Sequence, residues 1–395
     1  MISIEEALAA VLKHAAPLAP QRVPLSQSAG RVLAEAVVSD IDSPPHDKAL
    51  MDGYAVRCED LADGTAELEI LEEITAGAVP TRPLSSGQTS RIMTGAPLPS
   101  GADAVVVVEH SRLLAEDRVR LEESETFAGK NLMRKAELIR RGETVLSPGR
   151  PLSPAETGLM AEVGHSQAAV QPKPRVAVLP TGNELVAADV APAAGQIRNS
   201  NGPMLAAFAR QAGADAVELG VGRDDLDALK TLAEEGLQND VLLLSGGVSA
   251  GVLDLAPRAL QELGVREVFH HVKIKPGKPL WFGVAPNGAL VFGLPGNPVS
   301  SLVGFAVFVR PALDKLAGQP TAQPQQAALA HDYSMKGARP TYFPAKCEEG
   351  KVELLPWKGS ADLRTVANSD VLAFFPAGPR EYAAGESIVV LPLRF

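Results

Sequence analysis

The chain has 395 residues, 46% of them hydrophobic and 21% charged, with a formal net charge of −10. That length exceeds one ordinary hydrophobic core, so several domains are expected. The acidic balance and an aromatic content of 4% argue against nonspecific nucleic-acid binding and base stacking as the main activity.

In chain order, Ser3-Ile4-Glu5-Glu6 has the form of a capping box, and Ile4, Leu8, Val11 and Leu12 make one apolar stripe. The pattern predicts an N-terminal helix. Glu5, Glu6 and Lys13 lie within it, unlike a signal peptide. No apolar run approaches the ~20 residues that a membrane helix needs, so no membrane association is expected. Ser43-Pro44-Pro45 breaks the chain. Residues 46–140 read as a β-rich module, with Leu68-Glu69-Ile70-Leu71, Ala104 to Val108 and Val119-Arg120-Leu121 between turn residues. Pro148, Pro151 and Pro154 follow, and Pro172-Lys173-Pro174 marks a linker.

From Arg175 strands and helices alternate. Strands are expected at Val176 to Leu179, Ala216 to Leu219, Val241 to Leu244 and around Val268. Helical stripes run through Leu205, Phe208, Ala209 and Ala212, then through Leu226, Leu229, Leu232 and Ala233. Further helices are expected from about Asp254 to Leu263 and from about Pro298 to Leu316. The alternation predicts a doubly wound, largely parallel sheet, with ligands beyond the carboxyl ends of its strands. After Gly318-Gln319-Pro320 short strands return, ending with Ser387 to Leu391.

The fold class is therefore α/β plus β, in several domains. A linking domain is expected over residues 1–45 and 141–174, and a β-rich insert over 46–140. A central α/β domain follows over 175–318, and a small all-β domain over 319–395. The two cysteines, Cys58 and Cys347, are far apart and form no C-x-x-C pair, so a thiolate metal site is not expected. This usage fits a reducing, cytoplasmic compartment.

Two glycine-rich turns follow apolar strands: Ser245-Gly246-Gly247-Val248-Ser249, and Gly293-Leu294-Pro295-Gly296-Asn297-Pro298-Val299-Ser300. Glycine permits close backbone approach, and a helix start adds a partial positive charge. Alone, either is most simply a plain strand-to-helix turn. Together with Lys273-Ile274-Lys275-Pro276-Gly277-Lys278 they suggest an anionic ligand with more than one charged part. Lys275 and Lys278 flank a Pro-Gly turn that can aim both ammonium groups into one space. The plainer alternative for these lysines is a solvated charge run.

The candidate acids are Glu184, Asp224, Asp225 and Asp254. One of Asp224 and Asp225 is expected to be only a helix cap, and a cap is also the plain reading of Asp254. Carboxylates beside phosphates suggest Mg²⁺. Met51-Asp52-Gly53 is most simply a hairpin turn, and Met93-Thr94-Gly95 a loop.

Taken in order, these motifs resemble the molybdopterin molybdenumtransferase family, which includes MoeA and the E domain of gephyrin. The matching stretches are Met51-Asp52-Gly53-Tyr54-Ala55, Arg91-Ile92-Met93-Thr94-Gly95-Ala96 and Leu179-Pro180-Thr181-Gly182-Asn183-Glu184-Leu185. The two glycine turns and Lys275-Pro276-Gly277-Lys278-Pro279 complete the set. The resemblance implies insertion of molybdate into adenylylated molybdopterin with release of AMP, and a central molybdopterin-binding domain. It implies catalytic roles for Asp52, Thr94, Glu184 and Asp254, with Glu184 and Asp254 on Mg²⁺. It implies substrate-binding roles for Asp224, Ser245, Gly246, Gly247, Ser249, Lys275, Lys278, Pro295, Asn297 and Ser300. Arg339 and Ser360 are candidates for two further oxyanion contacts. The resemblance also implies a homodimer, and contact with molybdopterin adenylyltransferase and molybdoenzyme acceptors. Two other readings are a pterin-binding scaffold without turnover and a molybdopterin adenylyltransferase. ATP consumption would separate the latter from the insertion enzyme.

Overall fold

The computed structural model describes residues 1–247, 255–321 and 323–393. Contacts divide the chain into two units, one of Met1–Arg22, Gly30–Ala34 and Ala169–Phe395, the other of Val23–Ala29 and Glu35–Ala168.

The first unit is built on a six-stranded sheet. Its strands in spatial order are Asp215–Glu218, Arg175–Pro180, Val241–Ser245, Leu290–Leu294, Trp281–Val284 and Arg266–His270. The first four run parallel, Trp281–Val284 runs antiparallel to them, and Arg266–His270 pairs antiparallel with it at the edge. Between their ends the central strands are apolar because both sheet faces are covered. Val176, Val178, Val241 and Leu243 pack on one face with the helix Asn201–Gln211 and the helical stretch after Pro298. Ala177, Leu179, Leu242 and Leu244 pack on the other with residues of Leu226–Gly236 and Leu255–Glu262. This is the doubly wound arrangement that the alternation predicted.

Strand order reverses beside Arg175–Pro180. The next strand in the chain lies on one side of it, and all later ones lie on the other. Register brings Pro180, Ser245 and Leu294 side by side at the carboxyl ends. Such a reversal opens a crevice there.

The helix expected over about 298–316 is continuous in course but not uniform. Pro298–Gly304 and Arg310–Leu316 are α-helical, and Phe305–Val309 between them is π-helical. The Arg310 N–H donates to the Phe305 carbonyl, five residues back. Pro311 has no N–H to donate, which weakens the α-type ladder at this point.

The N-terminal helix Ile4–His14 carries the expected capping box. Its buried Ile4, Ala7 and Val11 join the cluster that holds Val176, Phe292 and Phe308. Residues 1–22 belong by contacts to the same unit as the α/β sheet.

The C-terminal strands Gln325–Leu329, Lys351–Leu354, Thr341–Glu348, Val371–Phe375 and Ser387–Pro392 close into a barrel. Ala345, Ala373, Phe375 and Val390 belong to its interior cluster. The region is not wholly β, since Leu363–Ala367 is a short helix capped by Asp362.

The second unit holds a six-stranded sheet ordered Ala104–Val107, Gly53–Val56, Gln88–Ile92, Thr65–Ile74, Arg118–Glu122 and Ser111–Ala115. It is the expected β-rich insert. The strand Gly53–Val56 pairs with Gln88–Ile92 and Ala104–Val107. Asp52-Gly53 is therefore a strand entry, not a hairpin turn. No helix among the described residues is long and apolar enough to cross a membrane.

Candidate functional site

Two adjoining cavities open at the carboxyl ends of the parallel strands. The larger, about 780 Å³, is lined by the Thr181-Gly182 loop with Glu184, by Asp224, by Ser245-Gly246-Gly247 and by Gly296-Asn297. Arg198, Asn199, Ser200 and Asn201 close another side. The second, about 630 Å³, is lined by Lys275, Lys278, Ser300, Arg339, Lys358 and Ser360 among others. Pro279, Pro295 and Asn297 line both.

The first cavity is shaped by backbone. Gly246 and Gly247 have φ of +93° and +61°, where glycine avoids the Cβ clash of other residues. A Cβ on Gly246 would sit 2.6 Å from the Thr181 carbonyl oxygen, and one on Gly247 2.7 Å from Thr181 Oγ1. The turn therefore serves close packing against the Thr181 loop. The Gly246 N–H is not an anion donor, because it donates to the Leu294 carbonyl at 3.0 Å. Likewise the Val299 N–H, at the start of the helix after the second turn, donates to the Ser360 carbonyl at 3.0 Å. These two N–H groups are therefore committed to the backbone.

Asp224 and Asn183 bind each other reciprocally. The Asn183 N–H donates to Asp224 Oδ2 at 3.3 Å, and the Asp224 N–H donates to Asn183 Oδ1 at 3.1 Å. Asp225 is the helix cap, accepting from the Ala228 N–H at 2.9 Å. That leaves Asp224 to face the cavity with Glu184. Arg223 braces the loop by donating to the carbonyls of Asn183 at 3.1 Å and Leu185 at 3.2 Å.

Magnesium takes one or two protein carboxylates and completes its shell with phosphate oxygens and water. Glu184 and Asp224 on one cavity form a donor set of that kind. Among the described residues no three His, Cys, Asp or Glu gather into a fuller cage. Asp254 and Ser249, both expected at this site, lie outside the described residues.

The second cavity brings together four cationic side chains: Lys275, Lys278, Arg339 and Lys358. Arg339 Nη1 donates to the Ile274 carbonyl at 3.0 Å, fixing the guanidinium beside the lysine loop. The Lys275 N–H donates to the Pro340 carbonyl and the Tyr342 N–H to the Lys275 carbonyl, each at 2.8 Å. The barrel strand thus grips the Lys275 loop. Of the expected residues, Lys275, Lys278, Pro295, Asn297, Ser300, Arg339 and Ser360 all line this cavity. Lys358 was not singled out by its sequence context. Nor were Arg198 and Asn201, which no local motif marks.

Asp52 and Thr94 belong to the second unit and meet there. The Thr94 N–H and hydroxyl both donate to Asp52 Oδ1 at 2.6 Å. These bonds, the hydroxyl's first, hold the Asp52 carboxyl below its ordinary value.

A family model described as the MoeA N-terminal region (domain I and II) matches residues 2–164. Models of a probable molybdopterin binding domain and of the MoeA C-terminal region (domain IV) match residues 177–315 and 326–393. The molybdopterin molybdenumtransferase of Bacillus subtilis (strain 168) is 33% identical over 406 residues, covering 100% of this chain and 94% of its own. That of Staphylococcus epidermidis is 31% identical over 401 residues, covering 99% and 95%. The crystal structure of the molybdopterin biosynthesis MoeA protein from Pyrococcus horikosii is similar over 100% of both chains, with a TM-score of 0.87 and 32% identity.

Proposed function

Because the chain belongs to the molybdopterin molybdenumtransferase family, we propose that it inserts molybdate into adenylylated molybdopterin and releases AMP. The observation that carries this reading is the pair of adjoining cavities, one with Glu184 and Asp224 beside Arg198, the other with four cationic residues. A carboxylate-lined cavity suits a phosphoanhydride brought in with Mg²⁺, and a cation-lined one suits a tetrahedral oxyanion such as molybdate.

In this reading water attacks the molybdopterin-side phosphorus of the anhydride, its oxygen stays on that phosphorus, and its protons pass to the products or to solvent. The bond to the bridging oxygen breaks, and AMP departs. Glu184 and Asp224 would hold Mg²⁺, with Asp254 as the resemblance implies, and the ion would offset charge on the phosphate oxygens. Lys275, Lys278 and Arg339 hold the molybdate, with Ser300 and Ser360 as hydroxyl partners. Pro295 and Asn297, on the shared wall, keep the two ligands adjacent. Ser245, Gly246 and Gly247 form the floor against which the pterin end lies. Asp52 and Thr94 act as a pair in catalysis. The protein needs no thiolate of its own, since the dithiolene of the substrate supplies sulfur to the metal.

The reading extends to a cytoplasmic homodimer that receives its substrate from molybdopterin adenylyltransferase and passes product to molybdoenzyme acceptors. Light scattering of the purified protein tests the dimer. The reaction itself is tested by supplying adenylylated molybdopterin, Mg²⁺ and molybdate without ATP. Active cofactor and AMP support insertion. A requirement for ATP would instead indicate an adenylyltransferase, and binding without turnover a scaffold.

A further inference from the structure

The turn that separates the two cavities is held by a side chain with no part in the proposed reaction so far. Asn201, 8% exposed, opens the helix Asn201–Gln211. Its amide Nδ2 donates to the Gly296 carbonyl and to Ser245 Oγ, both at 2.7 Å. A carbonyl only accepts, so the amide nitrogen must be the atom that faces Gly296. Asn201 Oδ1 is buried with no partner among the described residues. An unpaired buried acceptor is unfavourable, so the side chain is placed here for its nitrogen.

The clamp continues beyond Asn201. The fully buried Ser301 donates its hydroxyl to the Pro295 carbonyl. With that proton committed, Ser301 is left to accept from Ser245 Oγ at 3.3 Å. The bonds therefore run one way, from Asn201 through Ser245 and Ser301 to Pro295, and bonds in such a series strengthen one another. Asn201 grips the carbonyl of Gly296, and Ser301 grips the carbonyl of Pro295. Ser245 anchors both to the end of a central strand. Pro295 and Asn297, on this turn, line both cavities.

We propose that Asn201 is a positioning residue that couples the cavities, holding the Pro295–Asn297 turn so that the bound oxyanion and the anhydride face each other in register. The proposal rests on the insertion reaction. It does not make Asn201 a ligand of either substrate.

The test is Asn201→Ala, with molybdate affinity, adenylylated-molybdopterin affinity and molybdate-stimulated AMP release measured separately. Misplacement of reactants by an ångström costs up to about 100-fold in rate. The expected result is a fall of about 10- to 100-fold in the stimulated rate, with both affinities within about twofold of the parent. An unchanged rate would overturn the proposal. So would a parallel loss of both affinities, which would mark Asn201 as merely structural. Ser301→Ala, which releases the Pro295 carbonyl and spares Asn201, gives an independent answer if the first variant does not fold. It should lower the stimulated rate in the same direction, and an unchanged rate would overturn the proposal. A parent protein without molybdate-stimulated AMP release would instead overturn the insertion reading itself.

Discussion

Asp52 and Thr94, 42 positions apart, are joined by two hydrogen bonds to a single carboxylate oxygen, each 2.6 Å long. Asp52 enters the strand Gly53–Val56 and Thr94 follows Gln88–Ile92, and the register Gly53↔Ile92 brings them together. The Asp52 carboxyl is lowered by the Thr94 hydroxyl first and the Thr94 N–H second. A carboxyl held below its unfolded value adds stability above that value and loses it as pH falls through the folded one. Thr94→Ala removes the first of these bonds. The Asp52 pKa should rise toward the ordinary carboxylate range, and its acid-side contribution should be lost at higher pH. Carboxyl NMR titration reads this directly, and an unchanged pKa would refute the assignment of cause.

The cation-lined cavity predicts that Lys275→Ala, Lys278→Ala and Lys358→Ala each weaken molybdate binding. Loss of one charged hydrogen bond costs about 1.5–3 kcal/mol, or roughly tenfold or more in affinity. The loss should shrink as salt rises, because exposed charges are screened. Calorimetric titration at two ionic strengths checks it. Lys358 is the discriminating case, since only the fold brings it to the lysine loop. Unchanged affinity in Lys358→Ala would remove it from the cavity's function.

Two glycines separate backbone conformation from steric contact. Gly288 has φ +90° and open space where a methyl group would sit, whereas a Cβ on Gly246, at φ +93°, would lie 2.6 Å from the Thr181 carbonyl oxygen. Gly288→Ala should lose about 1–2 kcal/mol, from conformation alone. Gly246→Ala should lose clearly more, and weaken binding of the nucleotide-bearing substrate as well. Equal stability losses in denaturant titrations would contradict the close packing of the Gly246 turn on Thr181.

Neither cysteine is poised to react. Burial, with Asp103 as a second cause, pushes the Cys58 thiol up to about 12, and burial raises Cys347 as well. The thiolate is the reactive form. Both thiols should resist iodoacetamide at pH 8 in the native protein and react on unfolding. Rapid native labelling of Cys58, read by mass spectrometry, would contradict this.

Much of this architecture was legible where residues carry a local signal. The apolar runs at Val241 to Leu244 and Leu290 to Phe292 mark strands covered on both faces, and the lysines flanking Pro276-Gly277 mark a charged loop. The choice between Asp224 and Asp225 needed the folded structure, because both stand at the same helix start and only hydrogen bonding separates them. Lys358 and Asn201 carry no such mark. One is a lysine in a loop, the other an asparagine at a helix start, and each matters through chain-distant neighbours. Nor does the sequence show that the N–H groups of Gly246 and Val299, at the glycine turns, are taken by the carbonyls of Leu294 and Ser360. The apolar stripe of the first helix showed that one face is buried, but not that the α/β core buries it.

The central claim is that a cation-lined oxyanion cavity and a carboxylate-lined substrate cavity work as one site. The most direct measurement is the rate of AMP release from adenylylated molybdopterin against molybdate concentration, for the parent and for Lys275→Ala. The account predicts a saturable rise with molybdate, and a half-saturation point displaced upward by about tenfold in the variant. AMP release at the same rate with and without molybdate would contradict it.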